Sequence, residues 1–246
     1  MTHDRRWFLV QSASVLALAA CTGAEKGASG DSSGGELPDT GAGGGTGTDT
    51  SGDTGSGSDS APVDTADPVR DAACTRDDAL PSTCSPTTPD GEGPYWRPDA
   101  PERASLNVRS DTGTRLFLAA RVLDAGCQPV PGVRVYVWSA GADLTYDVTS
   151  ADFQLYGFQT TDADGSVCFE TLRPLPYGPP ESRLPAHLHL NLLDSAGNKL
   201  LTTQLRFAGD PYLDPAGDAR RVVVPEILAE GSERVVFDFV LGRGPV

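Results

Sequence analysis

Between residues 21 and 73 the chain has almost nothing with which to build a core. This stretch holds 13 of the 28 glycines, no aromatic residue, and ten acids against two bases, Lys26 and Arg70. So few apolar side chains cannot offset the entropy of ordering the backbone, and the stretch is expected to remain an unfolded acidic spacer. Folding is left to residues 74–246, about 170 residues, enough for one domain with its own core. Of the net charge of −15, residues 1–20 contribute +1, the spacer −8 and the remainder −8. With no basic stripe to release counterions from a polyanion, nucleic acid is excluded as the partner.

Residues 1–20 form a separate unit. They open on Arg5-Arg6-Trp7-Phe8-Leu9, run through an apolar stretch to Leu18-Ala19-Ala20, and meet Cys21. A charged start, an apolar run of this length and small residues before a break describe an export signal, too short to be a spanning helix of ~20 apolar residues. The paired arginines resemble a twin-arginine signal. Leu18-Ala19-Ala20-Cys21 resembles a bacterial lipobox, which implies a lipid on Cys21 and a position in the cell envelope, at the outer membrane or cell surface. The only membrane contact expected is that anchor; the alternative is an ordinary secretory signal with a chance cysteine. Cys74, Cys84, Cys127 and Cys168 remain. In an oxidising compartment they imply two disulfides in any of three pairings, and the lack of a C-x-x-C pair argues against cysteine-bound zinc.

From residue 115 onward, short apolar runs alternate with turn signals. Strands are expected over 115–124, 132–139, 156–161, 166–172, 186–193, 199–207 and 234–241. Asp162-Ala163-Asp164-Gly165 and Ser195-Ala196-Gly197-Asn198 read as hairpin links. Only 218–230 has room for a short helix. The pattern predicts an all-β domain, an antiparallel β-sandwich of seven to eight strands with long loops.

The chain has three histidines, and His3 leaves with the signal. The other two, His187 and His189, lie two apart in Pro185-Ala186-His187-Leu188-His189-Leu190. A strand has a side-chain period of two, so both imidazoles face one side while Leu188 and Leu190 face the other. This suits two ligands on one metal, imidazole being the commonest protein ligand; the alternative is a pair of buried, hydrogen-bonded core histidines. Zinc usually takes three protein ligands, and no third histidine or free cysteine is available. Asp194 and Glu181 are acidic candidates that no spacing singles out.

The ordered set of motifs resembles the intradiol ring-cleavage dioxygenases, such as protocatechuate 3,4-dioxygenase. Gly91-Glu92-Gly93-Pro94-Tyr95-Trp96 resembles that family's E-G-P-Y-Y segment. Tyr146 stands eight residues beyond Trp138, as the family's first ligand tyrosine does. Thr161-Asp162-Ala163-Asp164-Gly165 matches its T-D-x-x-G hairpin, Pro174-Leu175-Pro176-Tyr177 its P-G-x-Y, Pro185 to His189 its P-A-H-I-H, and Thr203-Gln204-Leu205 its T-Q-L strand. The match covers about residues 84–213, in register and in order.

The resemblance implies non-haem Fe(3+) held by Tyr146, Tyr177, His187 and His189, with a catechol-type substrate and O2 as partners. The ring would be cleaved between its two hydroxylated carbons to a muconate-type diacid. It also implies that Tyr177 is the ligand displaced by substrate, its oxygen taking a substrate proton. Gln204 is a candidate for a hydrogen bond to the reacting oxygens, the alternative being an exposed polar residue of a strand. Two departures stand out. The family's arginine three residues before the first histidine is here Leu184, and its P-G-x-Y glycine is Leu175. Arg183 sits one residue earlier, in a Pro-rich loop expected to turn it inward. Two other readings are a non-catalytic surface module on the same sandwich and a copper or zinc protein using the histidine pair. The residues leave open whether the chain forms a homo-oligomer.

Overall fold

The computed structural model describes residues 67–218 and 221–242. The export signal, Cys21 and the spacer up to residue 66 lie outside the described residues. Nine strands form two sheets: β1 (Arg115–Leu123), β2 (Arg134–Trp138), β3 (Tyr156–Thr160), β4 (Ser166–Leu172), β5 (His187–Leu193), β6 (Lys199–Phe207), β7 (Val222–Val223), β8 (Glu226–Ile227) and β9 (Glu233–Val240). One sheet has the order β4-β1-β9-β8 and the other β3-β2-β5-β6-β7. The seven long strands fall within a residue or two of their expected positions. The described residues form a β-sandwich.

Three details differ from expectation. The sheets are mixed: β1 pairs with β9 in parallel and β6 with β7 in parallel. Antiparallel neighbours can be read from short hairpin links, whereas a parallel partner 110 or so residues away leaves no local signal. The region 218–230 holds β7 and β8, and the short helix there, α2 (Pro215–Asp218), lies just before it. Order also begins before Cys74, because Pro68–Cys74 forms a helix, α1. Asp67 caps it by accepting from the Val69 and Arg70 amides, and the same carboxylate pairs with Arg115 of β1. A cap and a surface pair are each worth about 1 kcal/mol or less, so they orient this turn more than they hold it. The Cys74–Cys168 disulfide fixes the helix to β4, and Cys84–Cys127 closes the second bridge. Among the described residues no helix is long and apolar enough to cross a membrane.

Alternation along the strands builds two layers. Leu116, Leu118, Ala120 and Val122 of β1 meet Val135 and Val137 of β2, and Leu188, Leu190 and Leu192 of β5, in the core between the sheets. The intervening residues of β2, Tyr136 and Trp138, face outward, where Tyr156, Ala100 and the half-buried Trp96, Tyr146 and Phe153 cover them. Beside Tyr156 of the neighbouring strand β3, loops rather than a third sheet supply this outer cover. Strand β5 is consequently buried on both faces. At Asp162–Gly165 the Asp162 carboxylate accepts from the Asp164 and Ser166 amides, and Gly165 has φ +69° with an added Cβ only 2.6 Å from the Val122 carbonyl oxygen. Only glycine fits that turn.

Candidate metal centre

His187 and His189 lie on the outer face of β5, with Leu188, Leu190 and Leu192 fully buried on the other. Three buried leucines contribute about 1.5–3 kcal/mol each. That outweighs the ~1–3 kcal/mol of leaving one buried polar atom, Nδ1 of His189, without a partner among the described residues. The leucine face therefore fixes the strand's rotation, and the imidazoles follow. His189 lies flat against Trp138, ring centroids 5.0 Å apart and planes within 7°. Gly93 closes against it: a Cβ there would stand 3.2 Å from the His189 ring.

The segment carrying Gly93 is tied along β5 and β6. Thr88 and Gly91 carbonyls accept from Thr203 and Gln204, and Glu92 accepts from Asn191 and pairs with Lys199. Tyr146 comes from the long loop between β2 and β3. Arg97 donates to the Asp147 and Ser150 carbonyls and lies 3.6 Å over the Phe153 ring, while Arg109 pairs with Asp147 and Asp152. Two guanidiniums thus pin the residues flanking Tyr146. Tyr177 is held by a two-bond bridge to Leu184: each residue's amide donates to the other's carbonyl, at 3.2 and 2.8 Å.

These loops and β5 bring four donor atoms into one ring. The Tyr146 and Tyr177 hydroxyls are 3.0 Å apart, Tyr146 is 3.0 Å from His189 Nε2, the two Nε2 atoms are 3.1 Å apart, and His187 Nε2 is 3.4 Å from Tyr177. His187 Nδ1 lies 2.7 Å from the Pro185 carbonyl, so it carries the proton and Nε2 presents its lone pair. Burial first, then the neighbouring His187 and Arg206, lower the His189 pKa to about 3, so that ring is neutral. Burial also pushes both phenols above their usual range; at Tyr146 the bond to Tyr177 adds to it, and at Tyr177 the bond to Tyr146 opposes it.

Counting protons shows what this ring lacks. Two phenols and one neutral imidazole supply at most three protons for four contacts. A cation at the centre would satisfy all four lone pairs at once and would reverse the burial cost of phenolate. Among the described residues no three His, Cys, Asp or Glu side chains could hold a metal, so this set depends on its tyrosines. Two phenolates and two imidazoles fit a hard, highly charged ion.

A cavity of about 190 Å³ opens in front of the donors, lined among others by Tyr95, Tyr177, Leu184, Gln204 and Arg206. Gln204, expected here, is 9% exposed and opposes His189 across β5 and β6. Arg183 is placed elsewhere. Its Nε reaches the Gly178 carbonyl at 3.4 Å and its guanidinium lies over the Tyr212 ring. The Tyr177–Leu184 bridge is the reason: it closes residues 178–183 into an outward excursion and turns Leu184 to the cavity. Sequence reasoning missed Arg206, though its spacing of two from Gln204 on a strand was a usable signal.

A sequence profile described as "Dioxygenase" matches residues 91–241, more than half of the chain. The chain belongs to the intradiol ring-cleavage dioxygenase family. This dioxygenase-family chain is 30% identical over 181 residues to chlorocatechol 1,2-dioxygenase of Rhodococcus opacus, covering 61% of itself and 70% of that protein. It is 37% identical over 112 residues to the protocatechuate 3,4-dioxygenase beta chain of Burkholderia cepacia, covering 41% of itself and 48% of that protein. It thus spans about half the length of some of the curated relatives it matches. Among solved structures, the dioxygenase domain of a carbohydrate-binding fusion from Streptomyces sp. SirexAA-E superposes with TM-score 0.55 at 33% identity, covering 65% of this chain and 99% of that one.

Proposed function

We propose that this chain is a non-haem iron(III) dioxygenase that cleaves a catechol-type aromatic with O2 to a muconate-type diacid. The observation that carries the reading is the closed ring of four donors, Tyr146, Tyr177, His187 and His189, at 3.0–3.4 Å spacing. Those four would hold the iron, which would supply Lewis acidity and electron exchange with a bound catecholate. Both atoms of O2 enter the product, so no outside reductant is required. Family membership supports the reading, as does the naming of its relatives as catechol and protocatechuate dioxygenases. The reading includes export and a lipid anchor at Cys21, which rest on the sequence pattern alone.

The residues of the chain divide the work. His187 and His189 are fixed by the strand, by Trp138 and by the Pro185 carbonyl, which suits ligands that stay in place. Tyr177 lines the cavity from a loop, so its oxygen is the one positioned to accept a proton from an incoming substrate hydroxyl. Gln204 can hydrogen-bond oxygen at the cavity floor, and Leu184, Pro185 and Tyr95 give an aromatic ring apolar walls.

Catechol-dependent oxygen uptake tests this, with one O2 consumed per ring cleaved. Tyr177→Phe is expected to lower the rate by about 10²-fold or more, the range for losing a positioned acid–base group, with unfolding unchanged. An unchanged rate would remove Tyr177 from the site. The outward placement of Arg183 favours a second reading, a binding module that keeps the sandwich and iron without turnover. Iron-loaded protein that consumes no O2 with any catechol would select it.

A further inference from the structure

Among the described residues, three aromatic rings meet that of Tyr146, and they meet it differently. Tyr177 and His189, themselves members of the donor set, stand nearly edge-on to it, at 77° and 61°. Tyr95 stacks on it, with ring centroids 4.5 Å apart and planes 25° apart. A stacked neighbour resists rotation of a ring about its Cβ–Cγ bond, a torsion that is otherwise broad and two-fold. Tyr177 has no stacked ring among the described residues; His187 lies tilted to it at 34°, 5.4 Å away.

Tyr95 is 40% exposed, so burial alone does not fix it. Its backbone does. The Tyr95 carbonyl accepts from the Tyr156 hydroxyl at 3.0 Å, and Tyr156 is fully buried at the start of β3. Two residues earlier, Gly93 closes against the His189 ring. Two residues later, Arg97 donates to the Asp147 carbonyl at 3.3 Å and the Ser150 carbonyl at 2.8 Å. Residues 93–97 therefore reach the donor set at three places: His189 through Gly93, the Tyr146 ring through Tyr95, and the backbone just beyond Tyr146 through Arg97.

We propose that Tyr95 is a positioning residue for the metal centre, its ring stacked on Tyr146 so that the Tyr146 oxygen keeps its place among the four donors. The inference rests on the dioxygenase reading above and adds a residue that acts through a ligand. It also gives the two tyrosines different freedom. Tyr146 is braced on its face, whereas Tyr177, which takes the substrate proton, is not. Such support is how residues beyond the ligands set the affinity and orientation of a metal site.

The test is ferric iron binding by competition with a chelator, without substrate, read by the tyrosinate charge-transfer band. Tyr95 also lines the cavity, and leaving substrate out keeps any contact with it from registering. Tyr95→Leu is expected to weaken iron binding roughly 3- to 30-fold and to shift the band. That spans the worth of one aromatic pair and the range for groups that support metal ligands. Tyr95→Met, a second apolar side chain without a ring, is expected to match it and serves if Tyr95→Leu cannot be purified folded. Tyr95→Phe keeps the stack and is expected to stay within about twofold, with the wild-type band. Wild-type affinity and an unmoved band in the Leu or Met variant overturn the inference and leave the dioxygenase reading intact. A loss in Tyr95→Phe as large as in those variants overturns it too, because the hydroxyl rather than the stack would then be responsible. Wild-type protein that binds no iron overturns both.

Discussion

His189→Ala is expected to yield folded protein that retains no iron through purification and turns over no catechol. The imidazole is one of four donors and contributes two of the four ring contacts, to Tyr146 and to His187. Removing groups that merely support a metal ligand costs about 10–100-fold in metal affinity, and removing a ligand costs more. The fold should survive because the other face of β5 carries the packing: Leu188 and Leu190 stay buried whatever stands at 189. What the fold loses is the stack on Trp138, about 0.5–1.5 kcal/mol. Iron measured per chain beside a thermal melt separates these effects. A variant that binds iron as wild type does would exclude His189 as a ligand.

The second large effect falls on stability. Replacing Cys74 and Cys168 together by Ser opens a bridge between residues 94 apart in sequence. Constraining a loop of that length is worth about 4–5 kcal/mol in the chain-entropy account, and removal of native bridges costs 2–5 kcal/mol in practice. For a domain of this size that is a fall in Tm of roughly 5–15 °C. The tie matters because α1 is about two turns of helix, too short to hold its own conformation. A melt within a degree of wild type would show that docking α1 adds nothing to the domain. Iron content is expected to be unchanged, since neither cysteine approaches the four donors.

Period-two patterning explains what could be read in advance. It located the long strands, and it placed His187 and His189 on one face before any contact was known. Tyr146 and Tyr177 obey no such rule. They sit on loops whose course is set by distant partners, Arg97 and Arg109 for one and the Leu184 bridge for the other, and only their resemblance to family motifs marked them. The same bridge defeated the expectation for Arg183: its direction depends on two backbone hydrogen bonds that no side-chain pattern records. Arg206 escaped for the opposite reason, as a charged residue in an alternating strand reads as solvent-facing until a loop such as 88–96 is laid over it. Disulfide pairing and the parallel β1–β9 contact were likewise beyond local reasoning, because both join segments far apart in the chain.

On the proposed reading, two phenols and two imidazoles hold one ferric ion. The deciding measurement is the visible absorption spectrum of the purified protein, with iron measured on the same sample. About one iron per chain, with a broad visible tyrosinate-to-iron charge-transfer band that shifts when a catechol is added, is the predicted result. A protein that remains colourless after loading with iron would contradict the four-donor centre.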